Sequence, residues 1–158
     1  MTLRILQYPD DRLRVKAEPV VDFSPGFQQL VDDMIETMYS AHGVGLAAPQ
    51  VGIAKRVFVV DTGNDLWVFC NPSVKSTGAP QPSQEGCLSL PGVREVILRP
   101  QSVHVRAQDR FGTAFTLETS GLQAVAISHE NDHLDGVLML DHMGSLRRRQ
   151  LDRKLRKR

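Results

Sequence analysis

His129 and His133, four residues apart with Glu130 directly after the first, place the tightest constraint on what this chain can fold into. Positions four apart on an α-helix lie nearly one above the other. A helix would therefore bring both imidazoles to one metal ion and turn Glu130 toward the side where a metal-bound water lies. That geometry suits metal-assisted hydrolysis with the carboxylate as general base. The flanking residues agree with a helix. Ser120 with Gln123 three positions later matches a capping box, Leu122, Val125 and Ala126 lead to His129 and His133, and Gly136 is placed to end the run.

A chain of 158 residues is most simply one domain, 1–158, with enough length for a proper core. Apolar residues at 41% and charged residues at 23% are ordinary for a globular protein, and no apolar run approaches the length of a membrane span. The start, Met1-Thr2-Leu3-Arg4, lacks the apolar stretch of a signal peptide, which argues against export. Cys70 and Cys87 form no CxxC pair, so a reducing cytoplasm fits better than a disulfide framework. The charge is lopsided: eight basic residues and one acid between Arg147 and Arg158 leave that tail at +7, against +1 for the whole chain. A basic tail on a mildly acidic body suits a polyanionic partner.

Ser24 and Pro25 open a helix whose apolar face is Phe27, Leu30, Val31, Met34, Ile35 and Met38, before Gly43 and Gly45. Arg56–Val60 and Leu66–Cys70 read as a hairpin across Gly63-Asn64-Asp65. Residues 71–84 carry three prolines and read as a loop. Val93–Leu98, Ser102–Gln108 and Ala114–Glu118 read as further strands, and a last, basic helix spans 145–158. Strands bracketed by helices without regular alternation give an α+β fold: antiparallel strands around a central helix carrying the two histidines, with an N-terminal helix and a basic C-terminal one.

Two histidines still need a third ligand, with one position left for water. No glutamate follows Glu130, and position 139, where an extended motif would place a third histidine, is Met139. The third ligand must then be an aspartate, another histidine or an upstream residue, and the upstream candidates include Cys70, Glu85, Cys87 and His104. Cys70 reads as a small buried residue ending an apolar strand and His104 as an exposed strand residue. Cys87, beside Gly86, is modestly favoured, and its thiolate suits zinc or ferrous iron.

Three segments in order, Gly43-Val44-Gly45-Leu46-Ala47-Ala48-Pro49-Gln50, Glu85-Gly86-Cys87-Leu88-Ser89 and His129–His133 running into Leu134-Asp135-Gly136, resemble the bacterial peptide deformylases, and the likeness covers nearly the whole chain. The resemblance implies an enzyme that removes the formyl group from the N-terminal methionine of nascent proteins. Cys87, His129 and His133 would hold one divalent metal, natively Fe(2+), replaceable by Zn(2+), Ni(2+) or Co(2+). Hydroxide on the metal would attack the formyl carbon. Glu130 would act as base and then acid, and the Gln50 amide and the Leu88 N–H would stabilise the oxyanion. Gly45 and Gly86 would contact the peptide backbone, as would Arg94. Val44, Leu122, Val125 and Ala126 would line the methionine pocket. The basic helix would dock on the ribosome near the nascent-chain exit. Asp132 reads as a helix-orienting carboxylate and His42 as structural. Ser128 stands where the family usually has glutamine. Competing readings are a metallopeptidase or other amidase on the same scaffold, and a ribosome-binding module with a structural metal.

Overall fold

The computed structural model describes residues 1–157; Arg158, the last of the tail's basic residues, lies outside them. Three helices, α1 (Pro25–Ser40), α2 (Gly121–Leu134) and α3 (Ser145–Arg156), combine with seven strands: β1 (Gly45–Ala47), β2 (Val57–Asp61), β3 (Leu66–Ser76), β4 (Pro80–Cys87), β5 (Leu90–Pro100), β6 (Ser102–Gln108) and β7 (Ala114–Ser120). The strands form a five-stranded sheet, β1-β2-β3-β6-β7, and a two-stranded sheet, β4-β5, antiparallel throughout. The α+β class and the central position of the histidine helix agree with the sequence.

Alternation along β2 decides which helix lies on which face. Phe58 and Val60 point to one side and pack with Phe69, Val103, Val105 and the α2 residues Ala124, Ala126, Ile127 and Leu134. Val57 and Val59 point to the other, where Phe27, Val31, Met34 and Met38 of α1 cover them together with Cys70. The second sheet meets α2 through Arg99 on Asp132 and Glu85 on His129. Its Leu90, Val93 and Ile97 pack with Met139, Leu140 and, from α3, Leu151 and Leu155. Enclosed in this way, α2 buries Ala124 to Ile127, His129, Glu130, His133 and Leu134, as a helix at the centre of the fold must. Its C-terminal carbonyl on Leu134 accepts from the Ala17 N–H at 2.8 Å and from Arg56 Nη1 at 3.1 Å, which places a cation at the negative end of the helix.

Several local expectations are corrected. Residues 71–84 are mostly strand, because the prolines occupy positions a sheet tolerates. Pro72 falls in the irregularity between Cys70 and Ser73, where Asn71 takes φ 51°, and Pro80 and Pro82 lie on a strand with a single neighbour. Strand β5 runs from Leu90 to Pro100, longer at both ends than Val93–Leu98, and β7 continues to Ser120. Ser120 and Ser24 precede their helices without a side-chain cap; Gln123 instead accepts from Thr119 Oγ1 at 2.6 Å.

Candidate active site

His129 and His133 share a face of α2, and β4 delivers Cys87 opposite them just before the turn into β5. Their ligand atoms all lie within 4.8 Å of one another, with Cys87 Sγ 3.5 Å from His133 Nε2. One thiolate and two imidazoles fit a borderline-soft divalent cation. The two histidines are shifted in opposite directions. Burial disfavours a charged His129, yet the adjacent Cys87 and Glu85 outweigh it and raise its pKa well above the ordinary value. Burial, with His129 and Arg99 nearby, holds His133 well below it. Of the other candidates, Cys70 is sealed in the α1-side core, its thiol pushed by burial up to about 12, and His104 pairs with Glu118 on the sheet. Both cysteines are free.

Glu85 is not a fourth ligand. Its Oε1 accepts from His129 Nδ1 at 3.1 Å, which leaves Nε2 as the free donor atom of the ring. Arg99, 3% exposed, grips Glu85 through Nε at 2.8 Å and Nη2 at 3.0 Å, and Asp132 through Nη1 at 2.8 Å. Arg99 went unread in the sequence, although it extends the inward-facing alternation Val93, Ile97 of β5 and a buried arginine demands carboxylate partners. Asp132 pairs with Arg99 and does not join the group of Cys87, His129 and His133.

Glu130 sits behind the ligands at 5% exposure. Burial pushes its carboxyl up to about 7, against opposition from His129 and Arg99, and Oε1 has no partner among the described residues. A carboxyl poised there can accept and return a proton near neutral pH. Gly45 of β1 lies directly against it: a Cβ at 45 would stand 2.6 Å from Glu130 Oε2. Gln50 is pre-aimed. Its Oε1 accepts from the Ala47 N–H at 2.9 Å, so Nε2 faces the site, 3.1 Å from Ser89 Oγ and 3.8 Å from Cys87 Sγ. Ser89, the last residue of the Glu85–Ser89 segment, thus holds the Gln50 amide in place.

A cavity of about 660 Å³ opens onto Glu130 and His129. Val44, Gly45, Gly86, Arg94, Leu122, Val125 and Ala126 line it together with Gln50, Cys87 and Leu88. Val125 and Ala126 form buried wall, whereas Val44 and Leu122 stand half-exposed at the rim. His42 also lines the opening. Ser128 turns away from it and donates to the Ala124 carbonyl of its own helix at 2.9 Å.

Residues 2–149 match the family model described as polypeptide deformylase. The chain belongs to the polypeptide deformylase family. Among curated relatives of this family member, the peptide deformylase of Hahella chejuensis is 46% identical over 98% of this chain and 95% of its own length, and peptide deformylase 1 of Pseudomonas syringae pv. tomato is 49% identical over the same shares. The crystal structure of a Legionella pneumophila peptide deformylase superposes with a TM-score of 0.94 at 42% identity, covering 99% of this chain and 95% of that one. One from Synechococcus elongatus in complex with actinonin gives 0.91 at 39%, covering 97% and 85%. With near-complete coverage at this identity, the chain is an enzyme of the peptide deformylase class.

Proposed function

We propose that the enzyme releases formate from the N-terminal formyl-methionine of nascent proteins by the following division of labour. The observation that carries it is the convergence of Cys87, His129 and His133 within 4.8 Å, with Cys87 and His129 lining one cavity together with Glu130 and Gln50. These three residues would hold Fe(2+), with Zn(2+), Ni(2+) or Co(2+) as replacements. When bound, the ion polarises the formyl carbonyl and makes hydroxide available at neutral pH. Glu130 accepts the proton of the attacking water and returns it to the amine as the C–N bond breaks. Gln50 Nε2 and the Leu88 N–H receive the charge that develops on the formyl oxygen; one such donor is worth about 100- to 1,000-fold in rate.

The peptide lies extended against the backbone of Gly45 and Gly86, with Arg94 on its main chain. Val44, Leu122, Val125 and Ala126 take the methionine side chain. A panel of formyl-Met-Ala-Ser, acetyl-Met-Ala-Ser and free Met-Ala-Ser tests the substrate class. Acid release from the formyl peptide alone supports the reading, and cleavage of the free peptide points instead to a metallopeptidase on this scaffold.

The proposal extends to α3 as a ribosome-docking element in the cytoplasm. No helix among the described residues is long and apolar enough to cross a membrane. Arg147, Arg148 and Arg156 are engaged with Glu95, Asp141 and Asp152, which leaves Arg149, Arg153, Lys154 and Lys157 without an ion pair among the described residues. Those four supply the charge for RNA phosphates. Because Leu151 and Leu155 are core, substitution is a cleaner test than deletion. Changing the four to glutamine should abolish salt-sensitive ribosome binding and spare activity on the short peptide; unchanged ribosome affinity refutes the extension.

A further inference from the structure

The carboxylate that steadies Arg99 has a second partner outside the three motifs. Asp132 Oδ2 accepts from Arg99 Nη1 and from His142 Nε2, each at 2.8 Å. His142 closes a tight 3-10 turn, Met139–His142, between α2 and α3. The turn is rigid for identifiable reasons. Met139 and Leu140 are buried against Leu151 and Leu155, the Leu138 N–H donates to Asp141 Oδ2 at 2.9 Å, and Arg14 and Arg148 hold Asp141 from either side. The imidazole is thus presented from a fixed point of the C-terminal segment to the edge of α2.

We propose that His142 is a positioning residue for the ligand His129, acting through Asp132, Arg99 and Glu85; the inference rests on the metal-dependent reading above. The contacts form one unbroken series: His142 to Asp132, Asp132 to Arg99, Arg99 to Glu85, Glu85 to His129 Nδ1. A planar guanidinium takes its angle from the carboxylates at both ends of its fork. Glu85, at 7% exposure, is fixed by burial, but the Asp132 side chain is 25% exposed and has room to swing toward water. A second donor on Oδ2 removes that freedom. Without it the Asp132 end of the Arg99 fork is looser, and the tilt passes through Glu85, and through the Arg99 Nη2 approach to His129 Nδ1 at 3.4 Å, to the ring that must aim Nε2 at the ion. A neutral imidazole suffices, since only an N–H is needed.

The test compares the cobalt(II)-loaded parent with His142→Phe, which keeps a ring but no donor, and His142→Gln, which restores an N–H. Cobalt affinity is read by chelator competition, and the thermal midpoint is measured alongside. His142→Phe should weaken cobalt binding roughly 10-fold, the low end for residues that orient a metal ligand. The midpoint of the metal-free protein should stay unchanged, and His142→Gln should recover most of the loss. In an Asp132→Asn background, His142→Phe should add nothing. Equal affinity in parent and His142→Phe overturns the proposal. So does a loss shared by the Phe and Gln variants with a fall in midpoint, which marks a merely structural role. A parent that binds no cobalt refutes the metal-dependent reading itself, and the inference with it.

Discussion

Gly45→Ala is the smallest change that reaches the chemistry. The added methyl would stand 2.6 Å from Glu130 Oε2, 2.9 Å from Cγ and 3.0 Å from Cδ, where an ordinary contact begins at 3.4 Å, so the nearest atom must yield about 0.8 Å. Little around it can move. Gly45 is paired with Val60 in the sheet, and Glu130 is 5% exposed on the helix that also carries both histidines. Overpacking of this kind costs about 1–3 kcal/mol of stability. A reacting group misplaced by about 1 Å costs on the order of 100-fold in rate. We therefore expect kcat for formate release to fall by about two orders of magnitude, with metal stoichiometry unchanged and KM altered far less, because the methyl points at the carboxylate. Steady-state kinetics on formyl-Met-Ala-Ser give the comparison. Gly144→Ala, where an added methyl meets nothing within 4 Å, serves as the control. A Gly45→Ala enzyme with parental kcat would refute the assignment of Glu130 as the base.

Arg99→Ala strands the buried Glu85 carboxylate and should cost about 3–5 kcal/mol in urea unfolding. Replacing Arg99 and Glu85 together by methionine should recover stability yet leave metal affinity reduced, separating the fold's need of the pair from the site's. Iodoacetamide on the native metal-free protein at pH 8 should modify Cys87 alone, as read by mass spectrometry, because the Cys70 thiol is buried and pushed up to about 12. Burial works against ionised Asp141, but its contacts with Arg14, the Leu138 N–H and Arg148 prevail and hold its pKa below the usual 3.8. Its contribution is therefore present above that value and lost as pH falls through the lower folded pKa. The stability gap between parent and Asp141→Asn should be clear at pH 7 and close below pH 3.8; a gap that widens on acidification contradicts the assignment.

The parts legible in the sequence were those written in local periodicity. Ser102–Gln108 was read to the residue, the last helix was placed from about Ser145, where α3 begins, and the Leu66–Cys70 strand pairs with β2 as the turn residues implied. Proline misled where context overrode it. Pro72, Pro80 and Pro82 look like loop residues, but an irregularity and a strand with a single neighbour accommodate them. The three motifs located the site because each is contiguous in sequence. Arg99 and His142 escaped notice because their roles exist only after β5 and the turn before α3 close over α2, and no local pattern records that closure.

The most direct measurement is formate release from formyl-Met-Ala-Ser by anaerobically purified protein loaded with iron(II) or nickel(II), side by side with Glu130→Ala at equal metal content. The account predicts turnover by the parent and its loss in the variant, with one ion bound per chain in both. Formate release that survives Glu130→Ala, or a parent that binds one ion and releases none, would contradict it.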